Sequence, residues 1–274
     1  MLRLEFQGQL EWELMLGYFA ARAIPGVEQV GSGTYRRTVM IGGKPGVIEL
    51  TRGGPEHLLL SGDGRGRKRA RRIFSLDAPV EAANEHLRAD PTIGPLVRAR
   101  PGLRVPGTWD PYETAIRAIV GQQITVAGAS TIMGRIVERF GAPLPVGGQG
   151  AATHTFPPAE LLASADLSGL GLTRARQEAI GAFATGVAGG VVSLEAGQPL
   201  AQLIEAITAI PGLGPWSAHY IALRLGEPDA FPATDLGLRR ALEKVAPGRR
   251  LDELSPSWSP WRSTAAVHLW FAGG

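Results

Sequence analysis

One turn between two predicted helices carries residue types suited to holding a phosphate. Pro211-Gly212-Leu213-Gly214 follows a helical pattern that ends at Ile210 and precedes a helix that begins at Pro215. A helix N-terminus leaves backbone N–H groups unpaired, and two glycines let another backbone approach closely. Together with the helix dipole, those N–H groups can bind a phosphate oxygen. An ordinary αα-hairpin has the same local pattern, so the turn alone leaves both interpretations open.

A carboxylate stands at the start of the next predicted helix. Phe231-Pro232-Ala233-Thr234-Asp235 precedes a helical pattern that runs from Leu236 to Val245. The positive end of the helix dipole and the free N–H groups there keep such an aspartate ionised. A fixed carboxylate can stabilise a developing positive charge or orient a water molecule. A plain N-cap is the commonest use of Asp at this position, and it remains the alternative.

The elements that must position these residues fall into two kinds. In the first ninety residues, short alternating runs separated by Gly-Gly and Gly-Pro turns predict an antiparallel sheet, with one helix from Glu11 to Ala23. From about Leu87 the pattern is helical. Asp110 caps a predicted long helix that continues through Ile124. Further helices are predicted at Pro158–Ala165, Thr173–Ala188, Pro199–Ala209, Pro215–Leu225, Leu236–Val245 and Pro260–Phe271. The fold class is therefore α+β.

The composition excludes several classes of protein. The chain has 274 residues, a net charge of +3 and no cysteine, which excludes disulfides, thiolate zinc sites, a catalytic cysteine and a cysteine-held iron–sulfur cluster. No run suits a bilayer span of ~20 apolar residues. Charged residues near the N-terminus argue against a secretion signal, so we expect a cytoplasmic protein that does not enter membranes.

The combined pattern resembles the helix-hairpin-helix DNA glycosylase superfamily. A helix, the Pro211–Gly214 hairpin, a second helix and a proline-containing segment that ends in Asp235 carry this likeness. Within the superfamily, the chain resembles the AlkA type, 3-methyladenine DNA glycosylase II, from end to end. The matching runs are Met15-Leu16-Gly17-Tyr18, Ala99–Gly107, Arg117–Gln123 and Trp258–Ser263 with His268-Leu269-Trp270.

The resemblance implies a fold and its division into domains. It implies a TBP-like antiparallel sheet domain followed by a two-lobed all-α glycosylase core. We expect the sheet domain over residues 1–88 and a helical domain over 108–228 that ends in the hairpin. Residues 89–107 and 229–274 are expected to form a second helical domain that carries Asp235.

The resemblance also implies roles for single residues. Asp235 is the catalytic carboxylate, and Tyr18, Trp216, Tyr220 and Trp270 line the base pocket. Aromatic faces attract a base that carries positive charge after alkylation. Core packing remains the interpretation of the other four tryptophans, which are Trp12, Trp109, Trp258 and Trp261.

The residue expected to wedge into the duplex departs from the family pattern. Gln123 matches the side chain that fills the gap left by the flipped nucleotide, where the AlkA pattern has an apolar residue. Other branches of the superfamily use Gln in this role. The alternative is a solvent-facing Gln on a helix. This departure leaves the range of lesions open.

The hairpin is expected to contact DNA and a metal ion through its backbone. By resemblance, Pro211, Gly212, Leu213 and Gly214 bind the DNA backbone. Main-chain carbonyls of Thr208, Ile210 and Leu213 would hold a structural Na⁺ or K⁺; no cofactor is required, and no iron–sulfur cluster is expected.

The sequence therefore predicts a monofunctional DNA N-glycosylase. Bifunctional relatives carry a Lys just after the hairpin, where this chain has Pro215-Trp216. We expect a nucleoid-associated monomer that excises alkylated purines, such as 3-methyladenine, from duplex DNA in base excision repair. The alternatives are a non-catalytic helix-hairpin-helix DNA-binding protein, a glycosylase for oxidised or deaminated bases, and a non-enzymatic interaction protein. The basic run Arg65–Arg72 is either a DNA-facing patch or a solvated segment.

Overall fold

The N-terminal part is an antiparallel sheet crossed by one long helix. The computed structural model describes residues 1–144, 150–195 and 197–273. The first elements are β1 (Leu2–Glu5), α1 (Trp12–Arg22), β2 (Glu28–Gly31), β3 (Thr34–Ile41), β4 (Lys44–Gly54) and β5 (His57–Ser61). The strand order is β1-β5-β4-β3-β2, and each neighbouring pair is antiparallel. The predicted antiparallel sheet is confirmed, with β2 as a strand that the sequence pattern did not reveal.

Alternation along the strands turns one face of the sheet towards α1. Leu4, Leu50 and Leu58 are fully buried on that face. Phe19 of α1 packs edge-on against Tyr35 of β3, with ring centroids 5.3 Å apart. This cluster is a core of its own, separate from the core of the helical part. Burial of such side chains contributes about 1.5–3 kcal/mol each to folding.

The rest of the described chain is helical. Its helices are α2 (Arg67–Ile73), α3 (Val80–Arg88), α4 (Gly94–Ala99), α5 (Pro111–Val120), α6 (Val126–Phe140), α7 (Ala159–Leu162), α8 (Arg174–Ala188), α9 (Leu200–Thr208), α10 (Pro215–Leu225), α11 (Leu236–Val245), α12 (Leu251–Leu254) and α13 (Arg262–Gly273). One hydrophobic core joins α5, α6, α8, α10, α11 and α13. The predicted helical core after the sheet is confirmed, whereas the two-domain division of the helical part stays a prediction. None of the helices in the described ranges is both long and apolar enough to cross a membrane.

The predicted long helix from Asp110 through Ile124 is wrong at its C-terminal end. Asp110 caps α5 as expected, because its carboxylate accepts N–H bonds from Tyr112 and Glu113. The helix stops at Val120, and α6 begins after Thr125, whose hydroxyl accepts from Gly128 N. Two helices joined by a short turn therefore replace one.

A buried ion pair joins the sheet to the helical part. Arg37 Nη2 of β3 lies 2.6 Å from Glu113 Oε2 of α5, and both side chains are buried. Glu28 of β2 is a second carboxylate at 3.6 Å from the same guanidinium. Burial raises the pKa of Glu113 to about 7, although the Arg37 charge opposes that shift. The pair fixes how α5, which leads to the Gln123 turn, sits on the sheet.

Candidate active site

The Asp235 carboxylate is held by three N–H donors. As the N-cap of α11, it accepts a bond at Oδ1 from Leu238 N at 2.9 Å. Trp270 Nε1 donates to the same oxygen at 2.9 Å, and Trp216 Nε1 donates to Oδ2 at 2.9 Å. Asp235 is half-buried. Both oxygens are therefore fixed, and the carboxylate faces the reaction space in one orientation.

The two indoles reach Asp235 from different helices. Trp216 lies in the first turn of α10, directly after the hairpin, and Trp270 lies on α13, which packs against α11. Gly237 makes the close approach possible. A Cβ at this position would lie 2.9 Å from Asp235 Oδ1 and 3.3 Å from Trp270 Cδ1. Any side chain there would displace the carboxylate or the indole.

The segment that leads to Asp235 is tied to its neighbours. Asp229 accepts two bonds from Arg262 at 2.7 Å each, and Ser263 Oγ donates to Ala230 O at 2.8 Å. Phe231 N donates to His219 Nδ1 at 3.2 Å. Burial and the charge of Arg262 lower the pKa of His219, which keeps this ring nitrogen an acceptor at neutral pH. These bonds hold the segment directly N-terminal to Asp235 and so fix the position at which α11 begins.

Aromatic rings surround a cavity of about 1060 Å³ beside the carboxylate. Trp216 and Tyr220 stack with ring centroids 5.5 Å apart, and Trp270 meets Tyr220 edge-on at 6.1 Å. Tyr18 of α1 joins them from the sheet domain, and its hydroxyl lies 3.4 Å from that of Tyr220. All four residues predicted for the base pocket therefore lie in one place, together with Asp235.

Arginine side chains line this wall or bond to its tyrosines, and they were not predicted from the sequence. Arg224 Nη1 donates to both tyrosine hydroxyls at 3.2 Å. The Arg22 guanidinium covers the Tyr18 ring, with Cζ 3.9 Å from its centroid, and Arg117 lines the cavity from α5. The signal was present for two of them, because Arg22 and Arg224 each stand four residues after their tyrosine on a predicted helix.

The hairpin lies at the cavity mouth. Gly212 and Gly214 line the cavity, whereas Pro211, Leu213, Thr208 and Ile210 do not. Gly212 has a φ of +86°, a conformation that favours glycine, and Gly214 is the N-cap of α10. No side chain caps α10, so its N-terminal N–H groups point out of the turn.

The main-chain oxygens of the hairpin are of the kind that a monovalent cation prefers. The Ile210 carbonyl accepts one bond, from Leu213 N at 3.1 Å, and keeps a lone pair. The structure describes no group of three or more His, Asp or Glu side chains in these ranges that would hold a metal instead. The set Thr208, Ile210 and Leu213 fits the ion by chemistry, and its occupancy stays a prediction.

Gln123 lies on a turn and not on the predicted helix, its side chain faces solvent as the alternative has it, and the wedge role stays a prediction. Its φ is +57° and its side chain is exposed at the rim of the cavity. The preceding Gln122 donates from Nε2 to Gly212 O at 3.2 Å and to Ser217 Oγ at 2.9 Å. Arg176 of α8 bonds the Gln122 carbonyl. Gln123 is thereby presented next to the hairpin, as the wedge role requires.

The basic run lies elsewhere. Arg71 and Arg72 flank a separate cavity at the C-terminal end of α10, about 16 Å along the helix from the hairpin. Arg65 pairs with Asp63 and Arg71 pairs with Asp77, each at 2.5 Å. Half of the run is thus neutralised or buried against protein. Whether the remaining charges of the Arg65–Arg72 segment meet DNA stays open to measurement.

Of the other tryptophans, three are core residues as interpreted from the sequence. Trp12, Trp109 and Trp258 are buried. Trp258 Nε1 also donates to Asp90 Oδ2 at 3.0 Å, which anchors the chain between α12 and α13. Trp261 is half-buried and lines the cavity that Arg71 and Arg72 flank.

Two family models match the chain. Residues 1–110 match the AlkA N-terminal domain, and residues 116–253 match the HhH-GPD superfamily of base excision DNA repair proteins. The match to the second model includes the hairpin and Asp235. The first match ends directly before α5, and the second begins within that helix.

Relatives and a solved structure agree with these models. The chain is 42% identical over 98% of its length to the probable bifunctional transcriptional activator/DNA repair enzyme AlkA of Mycobacterium tuberculosis, of which it spans 56%. It is 30% identical to DNA-3-methyladenine glycosylase 2 of Escherichia coli, with 100% of this chain and 98% of that protein covered. The 3-methyladenine DNA-glycosylase of Archaeoglobus fulgidus shares the fold, with a TM-score of 0.83 at 23% identity over 99% of this chain and 97% of that one.

Proposed function

Because the chain belongs to the HhH-GPD superfamily of base excision DNA repair proteins, we propose that it is a monofunctional DNA N-glycosylase for alkylated purines. The observation that carries this proposal is the Asp235 carboxylate, fixed by Trp216 and Trp270 at the wall of an aromatic cavity. The 3-methyladenine glycosylases among its relatives support the substrate class. The alkylated purine is proposed to enter the cavity after flipping out of duplex DNA.

Base flipping requires a cavity for the base, a side chain that fills the gap in the duplex, and groups that bind the DNA backbone. A flipped base loses its stacking in the duplex at a cost of a few kcal/mol, and stacking on aromatic rings replaces it. The cavity of about 1060 Å³ has room for a purine, and Trp216, Tyr220 and Trp270 line it. Gln123 fills the vacated space, and the N-terminal N–H groups of α10 hold a phosphate.

Cleavage follows from the fixed carboxylate. When the glycosidic bond breaks, its electron pair leaves with the base and the sugar becomes an oxocarbenium-like cation. Asp235 stabilises that cation at C1′ and orients the water that attacks it. Three N–H donors hold the carboxylate before the reaction, so no reorganisation is needed as charge develops. The products are the free base and an intact abasic strand.

Asp235→Asn tests the assignment. We expect the single-turnover release of 7-methylguanine from duplex DNA to fall by about 10³-fold or more, because the negative charge is lost. Asn still caps α11, so binding of lesion DNA should persist. Asp166→Asn is the matched control, since Asp166 is an exposed carboxylate that accepts Ser168 N in a turn. Turnover by Asp235→Asn at the wild-type rate would refute the role.

The monofunctional part of the proposal rests on the lysines. The chain has Lys44, Lys68 and Lys244, and no lysine lines the described cavity. A lyase would need an amine that forms a Schiff base with the sugar. Borohydride should therefore trap no covalent complex with abasic DNA, and strand breaks should require added alkali. A trapped adduct would contradict the proposal.

The proposed partner is duplex DNA, with the protein acting as a nucleoid-associated monomer. The hairpin and the α10 N-terminus supply a local contact with phosphates, so the net charge of +3 is sufficient. Sedimentation of the free protein and of its complex with a lesion duplex tests the stoichiometry, which we expect to be one to one.

A further inference from the structure

Two tyrosines of the cavity wall place their hydroxyls at one buried guanidinium. Tyr18 of α1 and Tyr220 of α10 place their hydroxyl oxygens 3.4 Å apart. Arg224 Nη1 is 3.2 Å from each of them. Both tyrosines line the same cavity as Asp235. The cluster thus puts two acidic O–H groups where a flipped base would lie.

The Arg224 charge has no carboxylate partner. Arg224 is 6% exposed, and its other bonds go to the carbonyls of Pro106 and Gly107, both at 2.7 Å. No carboxylate within the described ranges lies at ion-pair distance from this guanidinium. An uncompensated buried cation favours any negative charge that appears next to it. The nearest groups that can become negative are the two tyrosine hydroxyls or a base held against them.

Arg117 adds a second unpaired cation. Its side chain is buried in α5 at the cavity wall, and it bonds Ser130 Oγ through Nη2 at 3.1 Å. Its Nη1 is buried without a hydrogen-bond partner. Arg22, which lies over the Tyr18 ring, and Arg240 also line the cavity, and Asp235 is the one carboxylate among its described lining residues. The charges of these arginines favour a group that gains negative charge as the base leaves.

Purine lesions divide into two classes by the charge of the leaving group. A purine alkylated at a ring nitrogen is already a cation, so it departs neutral and needs no proton. An uncharged purine, such as a deaminated 6-oxopurine, departs as an anion unless an acid protonates it. Positioned general acids typically contribute about 10²–10⁴-fold to such steps. A proton from the tyrosine pair would therefore speed the release of uncharged purines and not that of cationic ones.

We propose that the Tyr18–Tyr220 hydroxyl pair, backed by Arg224, is the general acid that protonates an uncharged purine as it leaves. This inference rests on the proposed glycosylase function. The C1′–N9 bond breaks, both electrons go to the purine, and a tyrosine O–H gives its proton to a purine ring nitrogen. The phenolate that remains pairs with Arg224. Water then adds to C1′, and the proton that it releases restores the phenol.

The electrostatics of the pair agree with an acid that works near neutral pH. Burial opposes ionisation of Tyr220, but Arg224, Arg22 and Arg117, with the bond from Tyr18, lower its pKa to about 7. Burial raises the pKa of Tyr18, and Arg224 opposes that shift. The other charged groups that face the pair are Glu28 of β2, which lies behind Arg224, and Asp235 across the cavity. The arginines around the pair therefore make its first proton easier to lose than that of an ordinary buried tyrosine.

The test compares two duplexes, one with hypoxanthine and one with 7-methylguanine, under single-turnover conditions below pH 7. Wild-type protein should release both bases. Tyr18→Phe and Tyr220→Phe keep the rings and remove one hydroxyl each. We expect each variant to lose about 100-fold on hypoxanthine and less than about threefold on 7-methylguanine. Arg139→Met removes an exposed cation at the far end of α6 and should change neither rate.

A pH series adds a readout that a merely structural role would not move. Wild-type release of hypoxanthine should fall as the pH rises through about 7, where the pair loses its first proton. Tyr220→Phe should remove that step on the same substrate. Comparison on one substrate cancels any ionisation of the base itself. An unchanged pH profile in Tyr220→Phe would overturn the proton-donor role.

The outcomes separate this inference from the function on which it rests. Release of 7-methylguanine without hypoxanthine overturns the inference and leaves the glycosylase proposal standing. Equal losses on both bases in the Phe variants also overturn it, because they indicate a packing role. Release of hypoxanthine alone, with the expected loss in both variants, supports the inference and contradicts the alkylated-purine assignment. Release of neither base refutes both.

Discussion

Replacing Gly237 by alanine should separate activity from stability. The new Cβ would lie 2.9 Å from Asp235 Oδ1 and 3.4 Å from Trp270 Nε1. Real Cβ atoms keep a larger distance, so the carboxylate must move by a few tenths of an ångström. Oδ1 is fixed between Leu238 N and Trp270 Nε1, at 2.9 Å from each, so this shift weakens bonds to a charged acceptor. A bond of this kind contributes about 1.5–3 kcal/mol.

That energy sets the expected loss of rate. At 1.36 kcal/mol for each factor of ten, single-turnover release of 7-methylguanine should fall by about 10–100-fold in Gly237→Ala. The stability loss should be smaller than the loss of transition-state stabilisation, because alanine is favoured over glycine in a helix by up to about 1 kcal/mol, which offsets part of the weakened N-cap bond of Asp235.

The assay pairs that rate with a urea unfolding curve. Gly181→Ala is the matched control, since Gly181 is inside α8 and a Cβ there meets nothing closer than 3.8 Å. The control should gain stability and keep its rate. If Gly237→Ala keeps the wild-type rate, or loses rate only because it unfolds, the argument that this glycine makes room for Asp235 is refuted.

Three further changes probe the donors and the buried charges. Trp270→Phe keeps a ring and removes the Nε1 donor to Asp235, so base release should fall about tenfold at unchanged stability. Burial, with Arg100 nearby, lowers the pKa of His268 from 6.5 to about 4. The unfolded chain therefore binds a proton that the folded one rejects, and the free energy of unfolding should fall by about 3 kcal/mol between those pH values. His268→Leu should remove this acid-dependent loss in urea titrations. Glu113→Ala removes the closer of the two carboxylates that pair with the buried Arg37 and should cost about 3–5 kcal/mol, whereas Arg37→Met with Glu113→Leu should recover most of that loss.

The sequence predicted correctly the helices whose first residues are typical helix-start residues. α10 begins at Pro215 and α11 begins after Asp235, as the sequence indicated, because proline at a first helical position and aspartate at an N-cap specify a helix start without help from the fold. The sequence did not indicate β2, because this strand has only four residues and pairs only with β3 across a hairpin. Short strands have too few residues for alternation to be visible.

The aromatic pocket residues came from the family resemblance, and their polar neighbours did not. Arg117 shares its helix with Glu113 and Thr114, and nothing in the neighbouring sequence indicates that its guanidinium is buried. Its position is set by α1, α6 and α10 packing around it, which is a tertiary property. The same holds for Gly237, whose requirement arises from an indole thirty-three residues further on. The spacing of residues along one helix predicts contacts within that helix, but not contacts with residues of other elements.

The turn at Gln123 replaces the predicted continuation of α5 through Ile124, and this difference has a structural reason. A non-glycine residue at a φ of +57° costs about 1–3 kcal/mol, and it persists only where neighbouring contacts determine it. Those contacts are Gln122 bonded to Gly212 and Ser217, and Arg176 bonded to the Gln122 carbonyl. The hairpin and the turn are thereby one hydrogen-bonded unit, although some ninety residues separate them in sequence. A continuous helix through Ile124 would satisfy the same backbone at lower cost, but it would carry Gln123 away from the hairpin. The conformational cost is therefore consistent with a side chain held out at the rim, beside the hairpin that we propose binds a phosphate.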